Sequence, residues 1–150
     1  MIRLRRAGDA DAAMIAAIHR ESRLKAMPWL KQLHTPAEDL FFFETSVLKT
    51  CAVWVAQRDA EVVGFCAARE GWVDHLYVRP DVFRQGAGKL LLDQAKVGQR
   101  SLYTWTFQRN AEARRFLEHY GFKVAELTDG QRNEEKEPDV LYLWQVGEAG

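Results

Sequence analysis

The chain lacks much that would point to particular functions. It has only two cysteines, Cys51 and Cys66, among 150 residues. Two cysteines make neither a disulfide framework nor a four-ligand zinc site. Both stand in apolar, strand-like runs and read as buried small hydrophobes, so no metal is expected. There is no net charge, because 21 Lys and Arg balance 21 Asp and Glu. Nor is there a basic stripe interleaved with aromatics. Together these argue against nucleic acid and anionic membrane as partners. No apolar run approaches the ~20 residues of a membrane-spanning helix. Internal repeats, low-complexity tracts and linkers are missing as well. The segment from Met1 to Arg6 runs into structure-like sequence without a signal-peptide pattern, so the expectation is a cytoplasmic protein.

What is present suits a packed core under a solvated surface: 47% hydrophobic and 28% charged residues. The length suits one domain over residues 1–150. Ile2 and Leu4 alternate with Arg3 and Arg5, a short half-buried strand. Asp9 or Asp11 can cap a helix whose apolar face is Met14, Ile15 and Ile18. Thr35 reads as an N-cap with Pro36 at the first helical position, and Leu40, Phe43 and Val47 follow at helical spacing. Cys51 to Ala56 and Val62 to Ala68 read as strands joined by a hairpin loop, Arg58 to Glu61. Trp72 to Val78 is a third strand, ended by Arg79-Pro80. After a glycine-containing loop comes a helix with Leu90, Leu91, Leu92 and Ala95. Leu102 to Phe107 is a strand, and Asn110 to Tyr120 a helix that Gly121 can end in a left-handed conformation. Phe122 to Leu127 and Val140 to Val146 read as the last strands. The order β, α, α, three strands, α, β, α, β, β belongs to a mixed sheet with helices packed on it.

The most informative stretch runs from Leu76 to Leu92. A strand feeds a short loop, Arg84-Gln85-Gly86-Ala87-Gly88, and the loop opens a helix. A helix's first turn carries unpaired N–H groups and the positive dipole end, an anion site if the ligand can come close. Gly86 and Gly88 remove side chains there, and Arg84 and Lys89 add positive charge. The glycines alone admit a second reading in which they only turn the chain. The loop is too short for a dinucleotide fingerprint and lacks the Lys-Ser/Thr ending of a nucleotide P-loop.

This stretch resembles the acyl-CoA signature of the GNAT superfamily of N-acetyltransferases, in which V-x-P leads to a Q/R-x-x-G-x-G/A loop and a helix. The loop here is Phe83 to Gly88, and Phe83 departs from the usual Gln or Arg. A second block, Asn110 to Phe122, is similar to the family's N-x-x-A-x-x-F-Y-x-x-x-G-F. Asn133 to Trp144 resembles a subgroup pattern, N-E-E-x-E-P-D-V-x-Y-x-W. The resemblance implies an α/β (α+β) fold: a mixed, mostly antiparallel sheet with splayed central strands, flanked by helices. It implies acetyl-CoA as cosubstrate and transfer to a primary amine of a small molecule or peptide by direct attack in a ternary complex. It assigns cofactor contacts to Leu76, Tyr77, Val78, Arg84, Gln85, Gly86, Ala87, Gly88, Lys89, Asn110 and Phe116, with the backbone of Tyr77 and Val78 holding the pantetheine. Asn110 serves as helix cap, cofactor contact or both.

Acyl transfer to an amine needs a neutral nucleophile, a donor for the developing oxyanion and a proton for the departing thiolate. The family's acid is the Tyr of F-Y-x-x-x-G-F, and here Leu117 stands in its place. Tyr120, about one helical turn on, is the substitute, unless it only packs beside Gly121. Asp74 and His75 are candidates for the base, with Asp74 ranked first because strict alternation puts it on the face of Trp72 and Leu76. Trp29, His34, Phe41 to Phe43 and Trp105 can line an acceptor pocket or belong to the core. Glu134, Glu135 and Glu137 can steer a cationic amine or be solvated loop charge. The loss of the family's Tyr also leaves open an acyl-CoA-binding sensor without catalysis. An exposed last strand, Val140 to Val146, would offer a second copy an edge, making a homodimer.

Overall fold

The computed structural model describes residues 1–147. Strand β1 (Ile2–Arg6) leads through a 3-10 turn (Asp9–Asp11) into α1 (Ala12–Ala26). Neither Asp9 nor Asp11 caps α1 through its side chain. Asp11 instead accepts from the Gly8 N–H at 2.8 Å and pairs with Arg5 of β1. Helix α2 (Pro36–Phe42) opens as expected: Thr35 accepts from the Glu38 N–H and Glu38 accepts from the Thr35 N–H, a reciprocal capping box. The helix then widens into a π turn (Phe43–Val47) and ends in a single turn, α3 (Leu48–Thr50). Strands β2 (Ala52–Arg58), β3 (Glu61–Arg69) and β4 (Trp72–Val78) follow. After them come α4 (Ala87–Lys96), β5 (Ser101–Phe107), α5 (Ala111–His119), β6 (Lys123–Leu127) and β7 (Asp139–Gln145). This is the order read from the sequence.

The seven strands form one sheet in the order β1-β2-β3-β4-β5-β7-β6. All neighbours are antiparallel except β4 and β5. Strand β7 lies between β5 and β6 and is therefore not an edge. The premise for a homodimer through Val140 to Val146 fails, and the sheet's edges are β1 and β6. Two apolar layers sandwich the sheet. On one face Leu91, Leu92 and Ala95 of α4 and Leu117 of α5 pack on Cys66, Val73, Leu102 and Tyr142. On the other, Ile15 and Ile18 of α1 pack with Phe43 and Val47 on Val53, Val55, Phe65 and Ala67. No helix among the described residues is long and apolar enough to cross a membrane.

The feature that positions the site is the junction of β4 with β5. These parallel strands pair at a single position, Trp72 with Tyr103. Thr104 donates to the Val73 carbonyl at 2.8 Å and Tyr103 N–H to the Gly71 carbonyl at 2.8 Å, closing the same end. Beyond it the strands part, as expected of splayed central strands.

Candidate active site

The gap begins with backbone. Arg79 N–H donates to the Val63 carbonyl at 2.7 Å. Hydrogen-bonding direction alternates along an antiparallel strand, so Tyr77 also turns its backbone groups to β3. Leu76 and Val78 turn theirs to the gap. Of the expected pair, Tyr77 and Val78, the ladder engages the backbone of Tyr77, so the groups open to the gap are those of Leu76 and Val78. One of these groups has a partner from α1: Ser22 Oγ donates to the Val78 carbonyl at 2.9 Å. Leu76 and Val78 point their side chains into the α4-side layer and Tyr77 into the α1-side layer.

At the far end of β4 the chain turns into α4. Arg84 and Gly86 both have left-handed backbones, with φ of 66° and 92°. For Arg84 this is a strained conformation, of the kind that gathers at functional sites. Gly86 is the N-cap of α4, and no side chain caps that helix. Helices α2 and α5, by contrast, are capped by Thr35 and Asn110. The first-turn N–H groups of α4 are thus left to a ligand or solvent. A β-carbon on Gly86 would stand in open space. Not every residue of the turn faces that space. Ala87 is buried in the core and offers only its backbone. Gln85 accepts from Arg58 at 3.0 Å and Lys89 donates to Asp93 at 2.6 Å. Gly88 lies under the Phe116 ring, so its lack of a side chain serves helix packing, a role the sequence reading did not give it. Asn110 accepts from the Ala113 N–H at 3.2 Å and is a helix cap.

Leu117 is buried in the core. Tyr120 is half-buried, edge-on to Phe116 at 5.0 Å. It packs against the α4-side layer, and its backbone carbonyl accepts from Lys96 of α4 at 3.0 Å.

Asp74 and His75 part company. The β3–β4 pairing matches Ala67 with His75 and Ala68 with Val73, leaving Asp74 as the extra residue of a bulge. Val73 and Leu76, three apart, consequently share the α4-side layer. This corrects the expectation that Trp72, Asp74 and Leu76 share a face. Asp74 is gripped by Arg69 through two hydrogen bonds, of 2.6 and 3.1 Å. The Cys51 thiol donates to it at 3.5 Å. These partners lie at the end of β3 and before β2, away from β5. His75 enters an aromatic cluster with His19, Phe42, Phe43, Phe65 and Tyr77, ring centroids 5.4 to 6.4 Å away. Burial there, with a smaller push from Arg23, lowers His75 to about 4 against the pull of Asp74. It is neutral at physiological pH.

The loop acids are not free to steer a cation. Glu134 pairs with His34 at 2.7 Å, Glu135 with Arg23 at 3.1 Å and Glu137 with Arg109 at 2.9 Å. The Arg109 guanidinium also lies 3.8 Å over Trp29, whose ring is edge-on to Phe107. These contacts span the open end of the splay. Phe43 is core, Phe41 and Phe42 are exposed, and exposed Trp105 lines a cavity of about 460 Å³ with Phe107, Glu126 and Arg132. Sequence reasoning missed His19 and Arg23. They lie four apart on α1, on one helix face, but nothing in that spacing says what they meet.

A mixed sheet splayed between two parallel strands, with a bare glycine turn heading the next helix, is the arrangement that the resemblance to the GNAT acetyltransferases implies. The family model for the acetyltransferase (GNAT) domain matches residues 49–124, and the chain belongs to the GNAT family. Among curated relatives it is 31% identical to the peptidyl-lysine N-acetyltransferase YjaB of Salmonella typhimurium over 125 residues, 83% of this chain and 85% of that protein. Among solved structures it superposes on the apo form of YjaB from Escherichia coli with a TM-score of 0.80 at 24% identity, covering 96% of this chain and 97% of that one. On the PaiA N-acetyltransferase of Thermoplasma acidophilum, in complex with coenzyme A, the TM-score is 0.77 at 20% identity, covering 97% and 99%.

Proposed function

We propose that residues 1–150 act as one transferase domain that moves the acetyl group of acetyl-CoA to a primary amine, with a peptidyl lysine as the acceptor class. The observation that carries this is the gap. Backbone groups of Leu76 and Val78 line an unpaired strand edge, and the uncapped turn of α4 stands at its end. An acyl-CoA needs both, an anion site for its phosphates and an extended edge for its amide-bearing arm. The turn fits such a group, since Gly86 leaves open space where a side chain would stand. Arg84, Gly86 and the backbone of Ala87 to Lys89 would hold the pyrophosphate, and Leu76 and Val78 the arm. The name that YjaB carries supports lysine as acceptor.

Acetyl-CoA is the second substrate: a C–N bond to the amine forms, the C–S bond breaks, and an amine proton leaves with the thiol. His75 faces the α1 side of β4 as a neutral imidazole and Asp74 is held by Arg69, so His75 takes precedence as the polar group beside the acceptor. Tyr120 is assigned to protonate the thiolate, a reading supported by its half-buried position beside Phe116 and by Leu117 carrying no hydroxyl.

Purified protein with acetyl-CoA and a lysine peptide should release CoA thiol in proportion to acetylation of the lysine Nζ, read by mass spectrometry. Thiol release independent of any amine overturns the assignment. Tyr120→Phe should slow transfer by roughly tenfold or more; undiminished transfer assigns that proton to water.

A further inference from the structure

His19 is a buried histidine with no part in the transfer chemistry. It is 9% exposed, and its Nδ1 has no hydrogen-bond partner. Its ring stands edge-on to Phe43 at 5.1 Å, to His75 at 5.6 Å and to Tyr77 at 5.0 Å. Arg23, one turn along α1, brings a guanidinium to this group. Its Nη1 lies 3.5 Å from Nε2 of His19, and its Nη2 donates to Glu135 at 3.1 Å. The cation therefore stands between the imidazoles and the carboxylate. Lys31 lines the same recess as His19 and Arg23 and adds a second cation there; the other charges around the cluster are paired. On α1, Arg20 donates to Asp39 of α2 and to the His34 carbonyl. His34 itself is held by Glu134. On β4, Asp74 is held by Arg69, and the Tyr77 phenol faces Arg23. Ser22, beside Arg23 on α1, bonds the Val78 carbonyl, so this part of α1 abuts the unpaired stretch of β4.

We propose that Arg23 is a specificity-determining residue of the acceptor site: its guanidinium, fixed beside His19, whose ring abuts His75, makes the cleft admit the amine as free base and exclude the ammonium. The proposal rests on acetyl transfer taking place along β4. An ammonium entering the recess beside His19 and Arg23 would lose water and face a cation, whereas a neutral amine meets neither cost. The site already treats its own imidazoles this way. Burial first, then Arg23 and His75, lower His19 to about 3, and burial with Arg23 lowers His75. The proton balance is simple. The ammonium gives one proton to bulk water before entry, so no strong base is needed inside. For a lysine, with a pKa of about 10.4, the bindable fraction grows ~tenfold per pH unit through neutrality. Amines of lower pKa gain accordingly.

The test is steady-state kinetics with a lysine peptide at saturating acetyl-CoA between about pH 6.5 and 9. In the parent protein the peptide KM should fall ~tenfold per pH unit while kcat stays flat. Arg23→Gln admits the ammonium, so KM should lose most of its pH dependence and kcat should rise with pH. Arg23→Lys keeps the charge and should keep the parent pattern. A parent enzyme whose kcat rises with pH at constant KM binds the ammonium, and the proposal falls. NMR titration of the His19 and His75 rings without ligand gives a readout separate from turnover. Arg23→Gln should raise both midpoints; unmoved midpoints overturn the proposal even in a working acetyltransferase. Raised midpoints in a protein that acetylates no amine uphold the field of Arg23 and overturn the transfer assignment instead.

Discussion

Gly88 and Phe116 are fitted backbone to ring: a β-carbon on Gly88 would lie 3.1 Å from Cε1 and 3.2 Å from Cζ of Phe116. Ordinary carbon contacts are ~3.5–4.0 Å, so the first turn of α4 can approach α5 this closely only with glycine there. The same ring stands edge-on to Tyr120. The spacing of the two helices on the α4 side of the gap is thus set by a missing side chain.

Gly88→Ala should therefore destabilise the fold by about 1–3 kcal/mol, the usual cost of overpacking. Urea unfolding measures it. Phe116→Leu in the same chain should recover part of the loss, giving a non-additive double mutant. Fully additive costs would show that the two positions do not share the contact.

Gly86 has no such neighbour, and its constraint is the left-handed backbone. Gly86→Ala should cost about 1–2 kcal/mol of stability from backbone strain and leave CoA affinity nearly intact. Gly86→Glu adds a negative charge at the helix N-terminus and should weaken CoA binding by about tenfold or more relative to the Ala variant. Calorimetry on the folded variants decides it. Equal affinity in the two would remove the turn from the cofactor site.

Asp74→Asn removes a partner of Arg69 in a largely solvated ion pair, worth about 0–1 kcal/mol. A small stability loss and an unaltered pH profile of turnover are expected, because the carboxylate is drawn towards β3 and β2. Lost turnover with intact CoA affinity would restore Asp74 as the base.

His19 and His75 titrate near 3 and 4 in the folded chain against 6.5 ordinarily. The unfolded chain then binds more protons between those values, and stability rises with pH there. Their contribution is complete above about pH 6.5 and is lost as pH falls towards 4, by up to about 1.4 kcal/mol per unit for each histidine. The urea midpoint should drop between pH 7 and 5 by less in His19→Phe than in the parent chain. Parallel slopes would mean that His19 is not buried neutral.

Much of this fold is written in local pattern. The alternation in β1, the Thr35 capping box, the glycine turn after β4 and the cap at Asn110 depend on neighbours within a few residues. Steric limits and hydrogen-bond geometry act at that range whatever surrounds them, so the element order and the glycine turn at the head of α4 follow from the sequence alone. The acceptor side does not. Arg23 and Glu135 stand 112 residues apart in the chain, and His34 and Glu134 stand 100 apart. Only the closed sheet says that they meet, and so pairs the loop acids that the sequence leaves free. The bulge at Asp74 arises between two strands; it takes Asp74 out of the alternation and puts Val73 on the side of Leu76, while His75 keeps the side of Tyr77. Burial by Phe43 and Tyr77, from distant segments, makes His19 a neutral imidazole rather than a surface charge. Tertiary structure decided these points because pairing, facing and desolvation belong to residues brought together in space, and sequence spacing carries no record of them.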